Sequence, residues 1–223
     1  MGSGGGLSAK PRMPPRERLS AWLLTSAYVF GAVILAHDIV PGFVYLTAFH
    51  LTFSATLLLA AHRPWVDAWP VLWAVACGLL GWWVEYLGVH GEWLFGEYVY
   101  GDTLGPKWRA IPLVLAVNWV LVTYSVCGTV AQWAPRWPVV AKVAASAAAM
   151  VALDVLIEPV AIALDLWTWR AGPPPLQNYI GWSLVSLLQA GLFFWLLPFS
   201  ENRLARLLLL LQVGFFAYVR LFL

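Results

Sequence analysis

The chain has 223 residues, 61% of them apolar and only 11% charged, with a net charge of +2 and a mean hydropathy of +0.76. A soluble domain carries about a quarter charged residues, so this composition excludes a water-soluble globule and describes an integral membrane protein with no room for a sizeable soluble domain. The small net charge argues against nucleic acid as a partner, and Cys77 and Cys127, each inside an apolar run without CxxC spacing, mark neither a disulfide framework nor a thiolate metal site.

Residues 1–19 are rich in Gly, Pro and Arg and read as a flexible basic leader, which leaves 20–223 as a single transmembrane helical domain. Apolar runs follow at 20–41, 43–61, 69–90, 110–132, 139–166, 179–198 and 203–222. A membrane-crossing helix needs about 20 such residues, so the expected fold class is all-α, a polytopic bundle of seven transmembrane helices. The runs are continuous, whereas the strands of a membrane β-barrel alternate. No small-residue cleavage site separates the first run from the second, so the first reads as a span and not as a signal peptide. With a cytoplasmic N-terminus, Lys10, Arg12, Arg16, Arg18, Arg63, Arg136, Lys142, Arg203 and Arg206 fall inside, against Lys107, Arg109, Arg170 and Arg220 outside. This asymmetry favours that orientation.

Ionisable groups inside a membrane cost on the order of 2.5–3.5 kcal/mol each on insertion scales, so their positions point to function. The third run carries Glu85, with His90 at its outer end, and the fifth carries Asp154, Glu158 and Asp165, whose spacings share one helical stripe. His37 with Asp38, His50, Asn118 and Gln189 lie in the middle and outer levels of the first, second, fourth and sixth runs. Asn118 and Gln189 also suit a plain role as interhelical hydrogen-bonding groups, and the groups nearest the interface suit simple solvation. Glu85, Asp154 and Glu158 are harder to explain structurally, because no Lys or Arg shares their depth. Pro159 beside Glu158 leaves the Val155 carbonyl without its helical donor, a place able to hold a water.

Two acids four residues apart oppose each other's ionisation, so one of Asp154 and Glu158 is expected to keep its proton at neutral pH. Such an acid in an apolar cavity suits protonation of a weakly basic, lipid-like substrate. Fifteen tryptophans exceed the needs of interface anchoring, and their faces stabilise cations. Protonation of an alkene, a carbocation held among indoles and capture by water form one coherent sequence among several. The loop between the third and fourth runs, dense in Gly and aromatics, suits a folded lid.

The run from Trp82 to Pro112, the D-x-x-x-E-P of Asp154 to Pro159, the W-x-W of Trp167 to Trp169 and the PLQNYIGW of Pro175 to Trp182 together resemble the carotenoid biosynthesis family that contains the 1,2-hydratases of the γ-carotene and bisanhydrobacterioruberin type. The chain departs from that pattern at the Gly172 to Pro175 stretch. The resemblance implies addition of water across the terminal C1=C2 bond of an acyclic ψ-end carotenoid such as lycopene or γ-carotene. It implies no cofactor and no metal, a bacterial or archaeal cytoplasmic membrane, and association with membrane lipid and with other enzymes of carotenoid biosynthesis. Carried onto this sequence, the catalytic acids are Asp154, Glu158 and Glu85. Tyr98 and Tyr100 fall in an F-G-x-Y-x-Y element and Asn178 in a Q-N-Y-x-G-W element. Asp154 or Glu158 would deliver the proton, Trp82, Trp83, Trp119 or Trp182 would shield the cation, and Glu85 would orient the water; Asn118 and His50 complete the expected substrate contacts.

Alternatives of other classes remain open at this level. A cyclase or isomerase would begin with the same protonation, and a non-enzymatic carotenoid-binding protein would explain the aromatics but not the acids. A retinal protein would need a lysine deep in the last helix, where none exists. A proton-coupled transporter would be supported by paired broken helices, and only Pro159 interrupts a run. A site built from His37, His50, His90 and Glu85 lacks the i, i+4 histidine pair that marks a metal.

Overall fold

A computed structural model describes residues 14–63, 68–198 and 201–223. The chain is mostly helical, and its helices in order are α1 (Pro15–Ala36), α2 (Thr47–Ala60), α3 (Trp69–Gly91), α4 (Val114–Trp133), α5 (Val139–Ala163), α6 (Leu176–Leu196) and α7 (Arg203–Arg220). Among the described residues, six segments are long and apolar enough to cross a membrane: α1, Phe43–Ala60, α3, α4, α5 and α6. The seventh expected span falls short of that standard because α7 carries Arg203, Arg206 and Arg220 within its 18 residues. The expected leader lies outside the described residues up to 13, and α1 begins earlier than expected, at Pro15, where a proline at the first helical position costs no hydrogen bond.

α4 is the axis of the bundle. Every residue from Trp119 to Thr129 is buried, because α2, α3, α5, α6 and α7 all pack against it. Two of its buried hydroxyls are satisfied within the helix or by a neighbour: Ser125 Oγ donates to the Gln212 side-chain carbonyl at 2.9 Å and Thr129 Oγ1 to the Ser125 carbonyl at 2.6 Å. In hydrocarbon such pairings substitute for water. One large apolar cluster, from Leu24, Leu58, Trp73, Leu121, Tyr124, Phe193 and Leu208, fills the end where the inter-helix connections are short. A second, from Trp82, Phe95, Ile111, Trp119, Met150, Leu153 and Trp169, fills the end capped by the long loops.

At that capped end the α3–α4 and α5–α6 loops fold together as a lid. Strand β1 (Tyr98–Tyr100) pairs antiparallel with β4 (Trp167–Trp169), placing Tyr98 opposite Trp169 and Tyr100 opposite Trp167. A two-residue hairpin joins β2 (Lys107–Trp108) to β3 (Ile111–Pro112), so α4 starts at Val114 and not at 110. Gly101 packs so closely on the second loop that a Cβ there would lie 2.0 Å from the Asp165 carbonyl oxygen. Its amide donates to the Leu166 carbonyl at 3.0 Å, Thr103 Oγ1 donates to the Asp165 carbonyl at 2.9 Å, and Arg170 pairs with Glu97. Lys107 closes the lid's own turn on Asp102 at 2.7 Å and on the Tyr100 carbonyl at 2.9 Å. Asp165 itself ends the stripe expected on α5: it lies past the helix, exposed, with φ of 52°.

Candidate functional site

The three acids expected from the sequence meet beneath this lid. Glu85, on α3, is 5% exposed, and Asp154 and Glu158, one turn apart on α5, are 1% and 3% exposed. Glu85 Oε2 accepts from the Tyr98 and Tyr100 hydroxyls at 2.7 and 2.6 Å, and its Oε1 accepts from Trp119 Nε1 at 3.0 Å. Burial, followed by the adjoining Glu85 carboxyl, pushes both phenols well above the usual tyrosine range, so they remain protonated donors. Glu158 Oε2 accepts from Trp167 Nε1 at 3.1 Å and Trp169 Nε1 at 2.9 Å. The alternation of a strand would point Trp167 and Trp169 the same way, and both indoles reach one carboxyl oxygen.

Asn178, in the first turn of α6, joins the two acids of α5. Its Nδ2 donates to Asp154 Oδ2 at 2.9 Å and to Glu158 Oε1 at 3.2 Å. An indole N–H and an amide NH₂ can only donate, so every partner of Glu158 treats it as an acceptor. Asp154 differs, since its Oδ1 is buried with no hydrogen-bond partner among the described residues.

Beside this cluster lies a cavity of about 500 Å³, walled by α1, α2, α4, α5, α6 and α7 and roofed by Leu104, Leu166 and Trp167 of the lid. Of the three acids only Asp154 lines it. Asn118, Trp182 and His50, all expected at the site, line it as well, with Tyr28, Gln212 and Phe215. Tyr28 and Gln212 carry no signal of their own in the sequence, because a lone Tyr or Gln in an apolar run suits interface anchoring or interhelical hydrogen bonding. Phe30 of α1 and Phe49 of α2 line the cavity while 67% and 69% exposed, so it reaches the outer surface of the bundle between these helices.

The remaining expected residues stand behind the wall or away from it. Trp119 is fully buried and stacks on Trp182 with ring centroids 4.5 Å apart, linking Glu85 to a cavity-lining indole. Tyr98, Tyr100 and Asn178 hold the acids and are not lining residues. Trp82 stacks at 4.9 Å on Trp108 of the lid hairpin, and Trp83 is 52% exposed against Tyr86 on the outer face of α3. Gln189 joins helices, donating to the Cys77 carbonyl at 3.0 Å.

Fold and site together define a membrane-embedded helical protein with a buried acid cluster beside an apolar, laterally open cavity. The family model for "Carotenoid biosynthesis protein" matches residues 42–222, and the chain belongs to that family. It is also similar to the bisanhydrobacterioruberin hydratase of Haloarcula japonica, 28% identical over 192 residues, a match covering 76% of this chain and 63% of that protein's length. No solved structure matches the chain.

Proposed function

We propose that the protein is a carotenoid 1,2-hydratase, a cofactor-independent hydro-lyase that adds water to the terminal C1=C2 bond of an acyclic end group. The observation that carries this reading is the contrast among the acids: Glu85 and Glu158 each satisfy three donors, whereas Asp154 lines a largely apolar cavity and has one buried oxygen without a hydrogen-bond partner among the described residues. That oxygen has room for the proton that the reaction needs. Family membership and the similarity to a hydratase support the same class of chemistry.

In this account the end group enters between α1 and α2 past Phe30 and Phe49, and the rest of the polyene stays in the bilayer. A cavity of about 500 Å³ is in the range of small-ligand sites and far too small for a whole carotenoid. Asp154 gives its proton to C2, which leaves the more stable tertiary cation at C1. The Trp182 face, backed by Trp119, and the Tyr28 ring stabilise that cation. Water adds to C1, one of its protons leaves to a base in the cavity, and a proton returns to Asp154. Glu158, held by two indoles, supplies a fixed negative charge one turn away, and Asn178 fixes the relative position of the two acids.

The same reading takes α7 as a seventh span and the lid as the outer face. α7 starts where Arg63 and Glu201 pair at the end of α2 and finishes where Tyr218 meets His37 at 3.0 Å beyond the end of α1, so it runs the full depth of the bundle. With the lid outside, the excess of Lys and Arg falls on the cytoplasmic side.

Expression in cells that accumulate lycopene or γ-carotene, followed by chromatography and mass spectrometry of the pigments, tests the proposal. A product heavier by one water per reacted end group is expected. Unchanged mass with an altered spectrum would indicate a cyclase or isomerase, and unaltered pigment would indicate binding alone; either result would overturn the hydratase reading.

A further inference from the structure

Resting on the hydratase reading, we propose that His50 is the catalytic base that holds the attacking water and accepts its proton. Glu85, the base expected from sequence, does not line the cavity, and both its oxygens are occupied by the Tyr98, Tyr100 and Trp119 donors. Glu158 is likewise filled and set back. His50 lines the cavity, and its Nε2, like Asp154 Oδ1, is buried without a hydrogen-bond partner among the described residues. A buried ring nitrogen without a partner is costly unless something else, such as a water, fills that place during turnover.

Depth supports the pairing. His50 packs edge-on against Tyr28 with centroids 4.5 Å apart and beside Phe215. Tyr28 is eight residues before the end of α1, about 12 Å along the helix axis, and Asp154 is nine before the end of α5, about 14 Å. α2 achieves this level because Phe43, at the start of its 3-10 entry turn, already packs beside Gly31 and not at the mouth of the bundle. His50 thus stands at the depth of Asp154, on the α1, α2 and α7 side of a cavity whose other wall carries the acid. An end group between the two receives a proton on one face and water on the other.

The step balances within the protein. Asp154 loses a proton as the C2–H bond forms; the water oxygen forms its bond to C1 and releases a proton to Nε2. The imidazolium then returns a proton to the Asp154 carboxylate through water in the cavity. No redox partner is needed.

The order of events makes the proposal testable, because protonation precedes the step that needs His50. Wild type, His50→Phe, His50→Gln and Asp154→Asn are reconstituted in liposomes with lycopene in deuterium oxide, each checked for wild-type elution and melting. His50→Phe and His50→Gln are expected to lower hydrated product at least tenfold while deuterium still enters recovered lycopene or an isomeric alkene, since the cation forms and collapses by proton loss. Asp154→Asn is expected to abolish both. Hydration within twofold of wild type in both folded His50 variants, or a parallel loss of hydration and deuterium in both, would overturn the assignment of His50. A wild-type protein that gives neither hydroxyl nor deuterium would refute the hydratase reading and this one with it.

Discussion

Gly81→Ala adds one methyl group on α3, at a position that does not line the cavity, and should impair the protein through Trp119. A Cβ at position 81 would lie 2.3 Å from Trp119 Cγ and 2.5 Å from its Cβ and Cδ1, about 1 Å inside ordinary van der Waals contact. Trp119 is 1% exposed and stacked on Trp182, so the indole has nowhere to retreat without leaving one of its partners. A shift of that size breaks the 3.0 Å bond from Nε1 to Glu85, and leaving that buried donor unsatisfied costs about 1–3 kcal/mol. Overpacking adds about 1–3 kcal/mol, so the total destabilisation expected is about 2–6 kcal/mol. Misplacing Trp182 by about 1 Å should lower carotenoid conversion by up to about a hundredfold. Gly191→Ala is the control: nothing among the described residues lies within 4 Å of a Cβ there, and the change should stay within about 1 kcal/mol. Thermal unfolding in detergent and pigment conversion in cells measure the two effects. A Gly81→Ala protein as stable and active as Gly191→Ala would refute the inference that Trp119 is fixed between Glu85 and Trp182.

Asn178→Leu removes the donor shared by Asp154 Oδ2 and Glu158 Oε1 and should cost about 1–3 kcal/mol in stability, with conversion falling tenfold or more; melting and pigment assays check both. The lid hairpin turns through Arg109 and Ala110 with φ of 52° and 66°, a geometry suited to Asn-Gly, so the double change Arg109→Asn, Ala110→Gly should raise thermal stability by about 1–2 kcal/mol. Lys107 holds the Asp102 carboxyl below the usual aspartate range, so its contribution to stability is present above that range and disappears as pH falls through the lowered value. Melting temperatures of wild type and Asp102→Asn should therefore differ at neutral pH and converge in acid.

Much of this arrangement is written in the chain. Continuous apolar runs gave helix number and order, and the absence of basic partners singled out Glu85, Asp154 and Glu158. Which face each helix turns inward was not legible, because a helix that is apolar on every side has no periodic signal. Trp83 and Trp119 illustrate the limit: both are tryptophans in apolar runs, yet Trp83 is 52% exposed and Trp119 is 1% exposed. The pairing of β1 with β4 joins segments almost seventy residues apart through backbone bonds that no local pattern encodes. It alone explains why Trp167 and Trp169 reach Glu158 while Tyr98 and Tyr100 reach Glu85. Helix ends failed at Asp38, Arg109, Ala110 and Asp165, where non-glycine residues at positive φ turn the chain without the usual Gly signal.

On the proposed hydratase chemistry, Asp154 protonates an alkene which water then captures. Purified protein in liposomes, given lycopene in heavy-oxygen water, measures this directly by mass spectrometry of the pigment. One heavy oxygen in each hydroxylated end group is expected with wild-type protein and none with a correctly folded Asp154→Asn variant. Labelled product from Asp154→Asn at the wild-type rate, or no labelled product from the wild type, would contradict it.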